Sequence, residues 1–489
     1  MRITLLLALF SVCLGVVAQE PQLVAEQSME LSFDGLLDGA KELLDTIERE
    51  PAVVQPAAAQ ALSFTVRDAV ERALRENPGI LRAAEEAAAA AAKTGQARSV
   101  LFPQVSTAVG FNYQQDAGTN FGSSFLTDLV VGGASDVEEI VRRDSLEIEQ
   151  VLYAGGQIRA GIEASKYLAQ SQEWKRVATL NDIEFQTKQA FYDCLLARAL
   201  LQVAQDSVTT FERHLADAQR GLEVGLKSRF EELRARTELG SRLSEVIRVK
   251  NAGEIANSNL RRLLALPQDT PIALVAAFDY VPMPGAPGDL VSKALEQRPE
   301  LLALDAAIAA AGQDVRARKG QYLPKAAASA EWTNSDGAGQ FVIDGWTATA
   351  GLQWDIFTGG KRKYQVKEAE AVKRGLERQR DQVAQIVEFD VRQACIQVDD
   401  AVAQVRSERG NVVLAREGQR LSEIRFQEGV GTQADVLDAQ LALTRAEQQL
   451  VRALRDYAVA HAALEKAIGK SWIARDEPST AEAGNMSAN

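Results

Sequence analysis

The chain is poor in side chains that do covalent or redox chemistry. Its 489 residues hold two histidines, His214 and His461, and three cysteines, Cys13, Cys194 and Cys395. These are too few and too scattered for a Cys/His metal cluster or a disulfide framework. His461 falls within a helical seam and reads as a packed helix residue; His214 follows no motif and reads as solvated. Cys194 and Cys395 sit in helical stretches, where cysteine is an ordinary small filler. Gly155-Gly156 and Gly359-Gly360 lack the flanking spacing and lysine of a phosphate loop. No catalytic residue, cofactor or metal is expected, and the chain does not read as an enzyme. What it offers instead is carboxylates placed at helix starts. Glu231 follows Ser228 by three residues and Asp435 follows Thr432 by three, the spacing of a capping box. Asp438 comes three after Asp435, so the two acids share one helix face.

The surrounding chain sets the compartment. A 46% hydrophobic and 25% charged composition argues against wholesale disorder, and a net charge of −13 disfavours nucleic acid as a partner. Residues 1–18 read as an export signal: Arg2, an apolar run from Ile3 to Val17, then small residues suited to cleavage after Ala18. A lipoprotein signal using Cys13 is the rival, but Val12 stands where a smaller residue is expected. No later stretch has 18 uninterrupted apolar residues. The mature protein is therefore soluble outside the cytoplasm, or it enters a membrane as a closed β-barrel.

The rest is a duplicated unit. Ala73-Leu74-Arg75-Glu76-Asn77-Pro78 resembles Ala294-Leu295-Glu296-Gln297-Arg298-Pro299, displaced by 221 residues. Further on the displacement falls to 204, where Leu152-Tyr153-Ala154-Gly155-Gly156 matches Ile356-Phe357-Thr358-Gly359-Gly360 and Gly225 matches Gly429. The first copy thus carries 17 extra residues, the difference between 221 and 204, all between Pro103 and Tyr153. We delimit a first repeat over 62–268, an inter-repeat linker at the body's waist over 269–289, and a second repeat over 290–470. Residues 19–61 form an acidic, then Pro/Ala-rich extension, and 471–489 a loose polar tail.

Each repeat reads as helix, two strands and two long helices. The opening helices are expected over Val66–Ser99, interrupted at Asn77-Pro78, and over Leu290–Gln321. Strands are expected at roughly 104–115, 145–154, 325–334 and 346–357. One face of each alternating run is apolar with aromatics near its ends, the other small and polar. A membrane strand and a half-buried strand of a soluble sheet share that pattern. Four strands cannot close a barrel, for which about eight is the practical minimum, so membrane strands would force several chains to pool. From Gln157 to about Glu223 and from Lys361 to about Glu428 no proline intervenes, which implies helices about 100 Å long. Val387, Val391, Ala394 and Val398, and later Leu450, Leu454, Tyr457, His461 and Leu464, keep the period of a coiled-coil seam.

At this point the chain resembles the TolC-like outer membrane efflux proteins over about 62–470. The resemblance rests on the tandem repeat, the Pro-strand-hairpin-Gly-Gly passages and two helix-hairpin tips. The most specific stretch is Phe426-Gln427-Glu428-Gly429-Val430-Gly431-Thr432-Gln433-Ala434-Asp435-Val436-Leu437-Asp438-Ala439, with Gly221 to Leu233 as its first-repeat counterpart. It implies a mixed fold, an α-barrel tunnel of long coiled-coil helices joined to a β-barrel of twelve strands pooled by a homotrimer. It also implies an outer-membrane location reaching into the periplasm, and partners in a periplasmic adaptor protein and an inner-membrane pump. Passive export of small molecules or proteins would follow; a secreted coiled-coil spacer is the alternative.

The same resemblance assigns sites. Asp435 and Asp438 match aspartates that ring the family's periplasmic entrance, where crowding is expected to raise their pKa values. One capping acid and one solvated acid is the plainer reading. Val224, Gly225, Leu226, Ser228, Gly429, Val430, Gly431 and Thr432 either only build the turns or also form the surface that an adaptor grips. Gly431 stands where the family can carry a gate-locking arginine, so an arginine latch is not expected here.

Overall fold

A computed structural model describes residues 62–116, 137–275, 286–336 and 343–469. The export signal, the acidic extension, the tail and most of the 17-residue insertion lie outside the described residues. In chain order the elements are β1 (Leu62–Phe64), α1 (Val66–Glu76), α2 (Pro78–Ser99), β2 (Gln104–Asp116), β3 (Val137–Ala154), α3 (Gln157–Glu223) and α4 (Arg229–Leu263). There follow β4 (Ile272–Leu274), α5 (Pro287–Gln297), α6 (Pro299–Gly320), β5 (Lys325–Asp336), β6 (Ile343–Gln353), α7 (Lys361–Gln427) and α8 (Gln433–Ile468).

The two long helices begin and end within a residue of expectation. Both opening helices are broken at the proline. Asn77 caps α2 by accepting a hydrogen bond from the Gly79 N–H, and its amide donates to Leu263 O at 2.9 Å. In the second copy Arg298 takes that place without capping. Its guanidinium donates to Lys466 O and to Asp390 at 2.9 Å. Four boundaries differ from expectation by three residues or more. β3 starts at Val137 instead of 145, β6 starts at Ile343 instead of 346 and ends at Gln353 instead of 357, and α5 starts three residues early at Pro287. The expected short strand at 272 exists, but its parallel partner β1 escaped notice because three residues carry no periodicity.

The chain divides into two compact units, with residues 204–249 in one and the other described residues in the second. In the smaller unit Phe211, Ala218, Ala235, Leu239 and Leu243 are buried between the ends of α3 and α4. Arg242 lies over the Phe211 ring, and His214 packs edge-on against it at 5.9 Å. His214 is thus half-buried on an aromatic ring, not solvated.

The larger unit holds two apolar cores built from equivalent positions. Ala69, Ala73, Ala190, Phe191, Cys194 and Leu260 belong to one; Leu290, Ala294, Ala394, Cys395, Val398 and Leu464 belong to the other. They correspond by the displacements of 221 and 204 already visible in the sequence. The seam residues Val387, Val391 and Val398 are fully buried where α7 meets α5 and α8. Both described cysteines are buried, and burial pushes the Cys194 thiol up to about 12, so neither is poised to react.

The four long strands form one antiparallel sheet of order β2-β3-β5-β6. Register sorts the side chains by face. Val105, Ile148, Ala330 and Ala348 form one row across the sheet, and Thr107, Leu146, Trp332 and Trp346 another on the same face. On the opposite face run Gln104, Glu149, Ser329 and Thr349, then Ser106, Glu147, Glu331 and Thr347. Val105, Val109, Phe111, Trp346 and Leu352 are all more than 60% exposed, so none of the described residues covers this part of the apolar face.

Helix α3 is tied to α8 by charge. Lys188, 11% exposed, donates to Glu184 and to Glu465, each at 2.7 Å. Burial alone would lower its pKa, but the attraction of Glu465 and Glu184 and their hydrogen bonds outweigh this and raise it. A raised lysine stabilises the fold at every pH below the unfolded value of about 10.4 and loses that contribution as pH climbs through the folded value. Lys188→Met strands two buried carboxylates and is expected to cost about 3 kcal/mol at neutral pH. The variant should also lack this alkaline component. Thermal melts of the detergent-extracted protein at neutral and strongly alkaline pH check both; wild-type melting behaviour would show that the triad contributes nothing.

Candidate functional site

The two helix reversals are the sites that the sequence singled out, and each is built from backbone upward. In the first, Gly225 takes a left-handed φ of 76°, and its N–H donates to Leu222 O. The Leu226 N–H reaches back to Gly221 O at 2.8 Å. In the second, Gly429 has φ 73°, its N–H donates to Phe426 O, and the Val430 N–H returns to Arg425 O at 3.0 Å. This pair of bonds satisfies the last carbonyls of α3 and of α7 and requires a residue that tolerates positive φ. Both glycines therefore serve the turn.

The returning helices are capped as the spacing predicts. At α4, Glu231 N–H donates to Ser228 Oγ, and the Ser228 N–H donates to Glu231 Oε2 at 2.8 Å. At α8, Asp435 N–H donates to Thr432 Oγ1 at 3.2 Å, and the Thr432 N–H donates to Asp435 Oδ2 at 2.9 Å. Asp435 and Asp438 are both exposed, while Gln433, Val436, Leu437 and Gln440 turn inward. The two acids do share the outer face of α8.

Within the protomer the Asp435 carboxyl is held below its usual range. The Thr432 backbone N–H is the main cause, the Thr432 hydroxyl the next, and Arg425 adds a favourable charge. A depressed aspartate stabilises the helix start above its unfolded value and loses that contribution as pH falls through the folded one. Arg425 was not recognised from the sequence. Its signal was a cation one turn before Gly429, in the last turn of α7.

Position 431 has little room. A Cβ there would sit 3.1 Å from Phe426 N and 3.2 Å from Arg425 Cβ. Any side chain, arginine included, makes the end of α7 give way. The turns also present apolar groups to solvent. Val224, Leu226 and Phe230 are about 70% exposed or more at the first, and Val430 is 71% exposed at the second. Phe230 was missed because it follows the turn and carries no capping role. Glu232 beside it is buried, paired with Arg229 and, at 2.9 Å, with Arg236.

Thr432→Ala removes one half of the α8 capping box. It is expected to weaken the helix start by about 1 kcal/mol, roughly a fivefold loss of amide protection over the first turn of α8. Hydrogen exchange read by mass spectrometry checks this. Unchanged protection would mean that packing, not the cap, holds the turn.

The described residues contain no cluster of three or more His, Cys, Asp or Glu side chains arranged for a metal. Comparison with known proteins gives the family. The description "Outer membrane efflux protein" matches residues 69–266 and 290–470. The outer membrane efflux protein BepC of Brucella suis is 26% identical over 339 residues, 66% of this chain and 71% of its own length. The toluene efflux pump outer membrane protein TtgF of Pseudomonas putida is 24% identical over 83% of each chain. The CmeC outer membrane channel of Campylobacter jejuni has the same fold, with a TM-score of 0.72, 16% identity and coverage of 83% of this chain and 85% of that one. Nothing in these likenesses supports a non-conducting spacer. Matched along both repeats, the chain belongs to the outer membrane efflux protein family and serves export at the outer membrane, reaching from there into the periplasm.

Proposed function

We propose that three copies pool their sheets into one twelve-stranded barrel and continue as a helical tunnel, a passive duct whose energy comes from an adaptor protein and an inner-membrane pump. The single-layer sheet carries this reading. It has one apolar face, one polar face, and two open edges of 13 and 11 residues, β2 and β6. Open edges are untenable in lipid, where every backbone N–H and C=O needs a partner. An even number of antiparallel strands makes β6 of one protomer antiparallel to β2 of the next, so a ring closes without a parallel seam. Three protomers give twelve strands, more than the minimum of about eight, and the polar rows of Glu147 and Glu331 then line the lumen.

At the far end of the tunnel Asp435 and Asp438 form two stacked rings of three carboxylates. The capping bond favours the charged form of Asp435, and rings of carboxylates select for cations. The exposed tips, Val224-Gly225-Leu226 with Ser228 and Gly429-Val430-Gly431-Thr432, are the surface for the adaptor. Their apolar side chains are available because the tips are held by backbone bonds and by the Ser228 and Thr432 hydroxyls.

Planar-bilayer recording tests this. Detergent-extracted protein is expected to cross-link no further than a trimer and to give stable, cation-selective steps. Asp435→Ala with Asp438→Ala should shift the reversal potential in a salt gradient toward zero. An unchanged reversal potential removes the gate role, and failure to insert removes the barrel.

A further inference from the structure

Where the sheet gives way to helices, the protein carries a compact collar of apolar and basic groups that the export duct does not use. Trp354 and Ile356 continue the apolar parity of β6 past its last residue, at 56% and 80% exposure. The Trp354 indole N–H donates to Tyr322 O at 3.0 Å, and the Arg362 guanidinium lies 5.8 Å over the Tyr322 ring while pairing with Asp355. These contacts tie the start of α7 to Asp355, just past the end of β6, and to Tyr322, just past the end of α6. The exposed lysines Lys361, Lys363 and Lys367 lie in the first two turns of α7, and exposed Lys325 opens β5. No described carboxylate lies within ion-pair distance of Lys325, Lys361 or Lys363.

Helix stability does not explain this charge. The first seven residues of α7 hold four cations and no acid, at the end where the helix dipole favours acids. On a chain of net charge −13, a cationic band here is local and adjoins the lipid-facing sheet. Aromatic and basic groups in this order suit a membrane surface, the rings at headgroup depth and the lysines on the phosphates.

We infer that this collar binds anionic phospholipid headgroups in the leaflet on the helical side of the barrel. The inference rests on the sheet lying in the membrane. Bound anions neutralise the lysines at the start of α7 and brace the junction between sheet and helices, so anionic lipid stabilises the assembled protein more than zwitterionic lipid does.

The test is the melting temperature of the full-length, detergent-extracted protein in mixed micelles holding phosphatidylglycerol or phosphatidylcholine at equal mole fraction. Inorganic phosphate serves as the free-anion control. Phosphatidylglycerol is expected to give the larger upward shift. The increment should vanish in Lys361→Gln/Lys363→Gln/Lys367→Gln and persist in Arg406→Gln/Arg409→Gln, roughly twelve turns along the same helix. Equal shifts with both lipids, a shift matched by phosphate, or an increment that survives the triple variant would overturn the collar and leave the barrel standing. If neither lipid stabilises the protein, the membrane reading of the sheet falls and the collar with it.

Discussion

A strand edge cannot be left open in hydrocarbon, and most of this architecture answers to that constraint. Each protomer brings four strands with both end strands unpaired, too few to close and too apolar on one face to stay in water. In the barrel proposed above, the protomer is incomplete by itself, and its stability depends on neighbours. That dependence explains a sheet in which Val105, Trp346 and Leu352 are exposed, while the helical cores of the same chain bury Val391 and Leu464 almost fully. Two solvents act on one polypeptide. The helical part obeys the usual rule of apolar groups inside, and the sheet inverts it.

Duplication solves the problem of holding such a sheet. The two cores occupy equivalent positions, Ala73 with Ala294 and Leu260 with Leu464, so each pair of strands leads into its own long-helix hairpin on its own apolar footing. The copies then diverge where chemistry is local. Asn77 caps a helix with its amide, whereas Arg298 leaves the cap unmade and reaches Asp390 and the end of α8 instead. Both side chains bind the closing helix of their repeat, by unlike means. Such divergence within one frame is what a shared backbone geometry permits.

How much of this was legible in the sequence depended on whether the signal lay in the backbone or in tertiary partners. Prolines and paired glycines act through φ and missing N–H groups, so Asn77-Pro78, Gly155-Gly156 and Gly359-Gly360 marked boundaries well. The capping boxes at Ser228 and Thr432 were equally plain, since their partners are three residues away. Strand length was not. The stretch before residue 145 includes Glu138, Glu139, Arg142 and Arg143, where no apolar alternation exists, yet β2 supplies a full ladder of hydrogen bonds back to Val137. At the other end, Trp354 and Ile356 keep the alternation after the ladder has stopped, and the Trp354 indole donates to Tyr322 O outside the sheet. His214 went the same way: its partner Phe211 is one turn back, but only burial at the hairpin makes the contact count.

The site itself shows why a motif under-determines chemistry. Two aspartates one turn apart look equivalent, and crowding in a ring argues that both should be hard to ionise. Within its own chain Asp435 differs, because its oxygen already accepts the Thr432 N–H, and its charge is favoured by the helix start that it caps. Asp438, one turn further, lies outside the capping box. The pair thus divides its labour: the first is a fixed negative group whose removal also loosens a turn, the second a charge on the same face without that structural duty. A single substitution at Asp435 consequently mixes two effects, fold and field, whereas one at Asp438 alters the field alone. If the two acids ring an entrance as proposed, its electrostatics are read most cleanly from the second aspartate, although the sequence makes the first the more conspicuous.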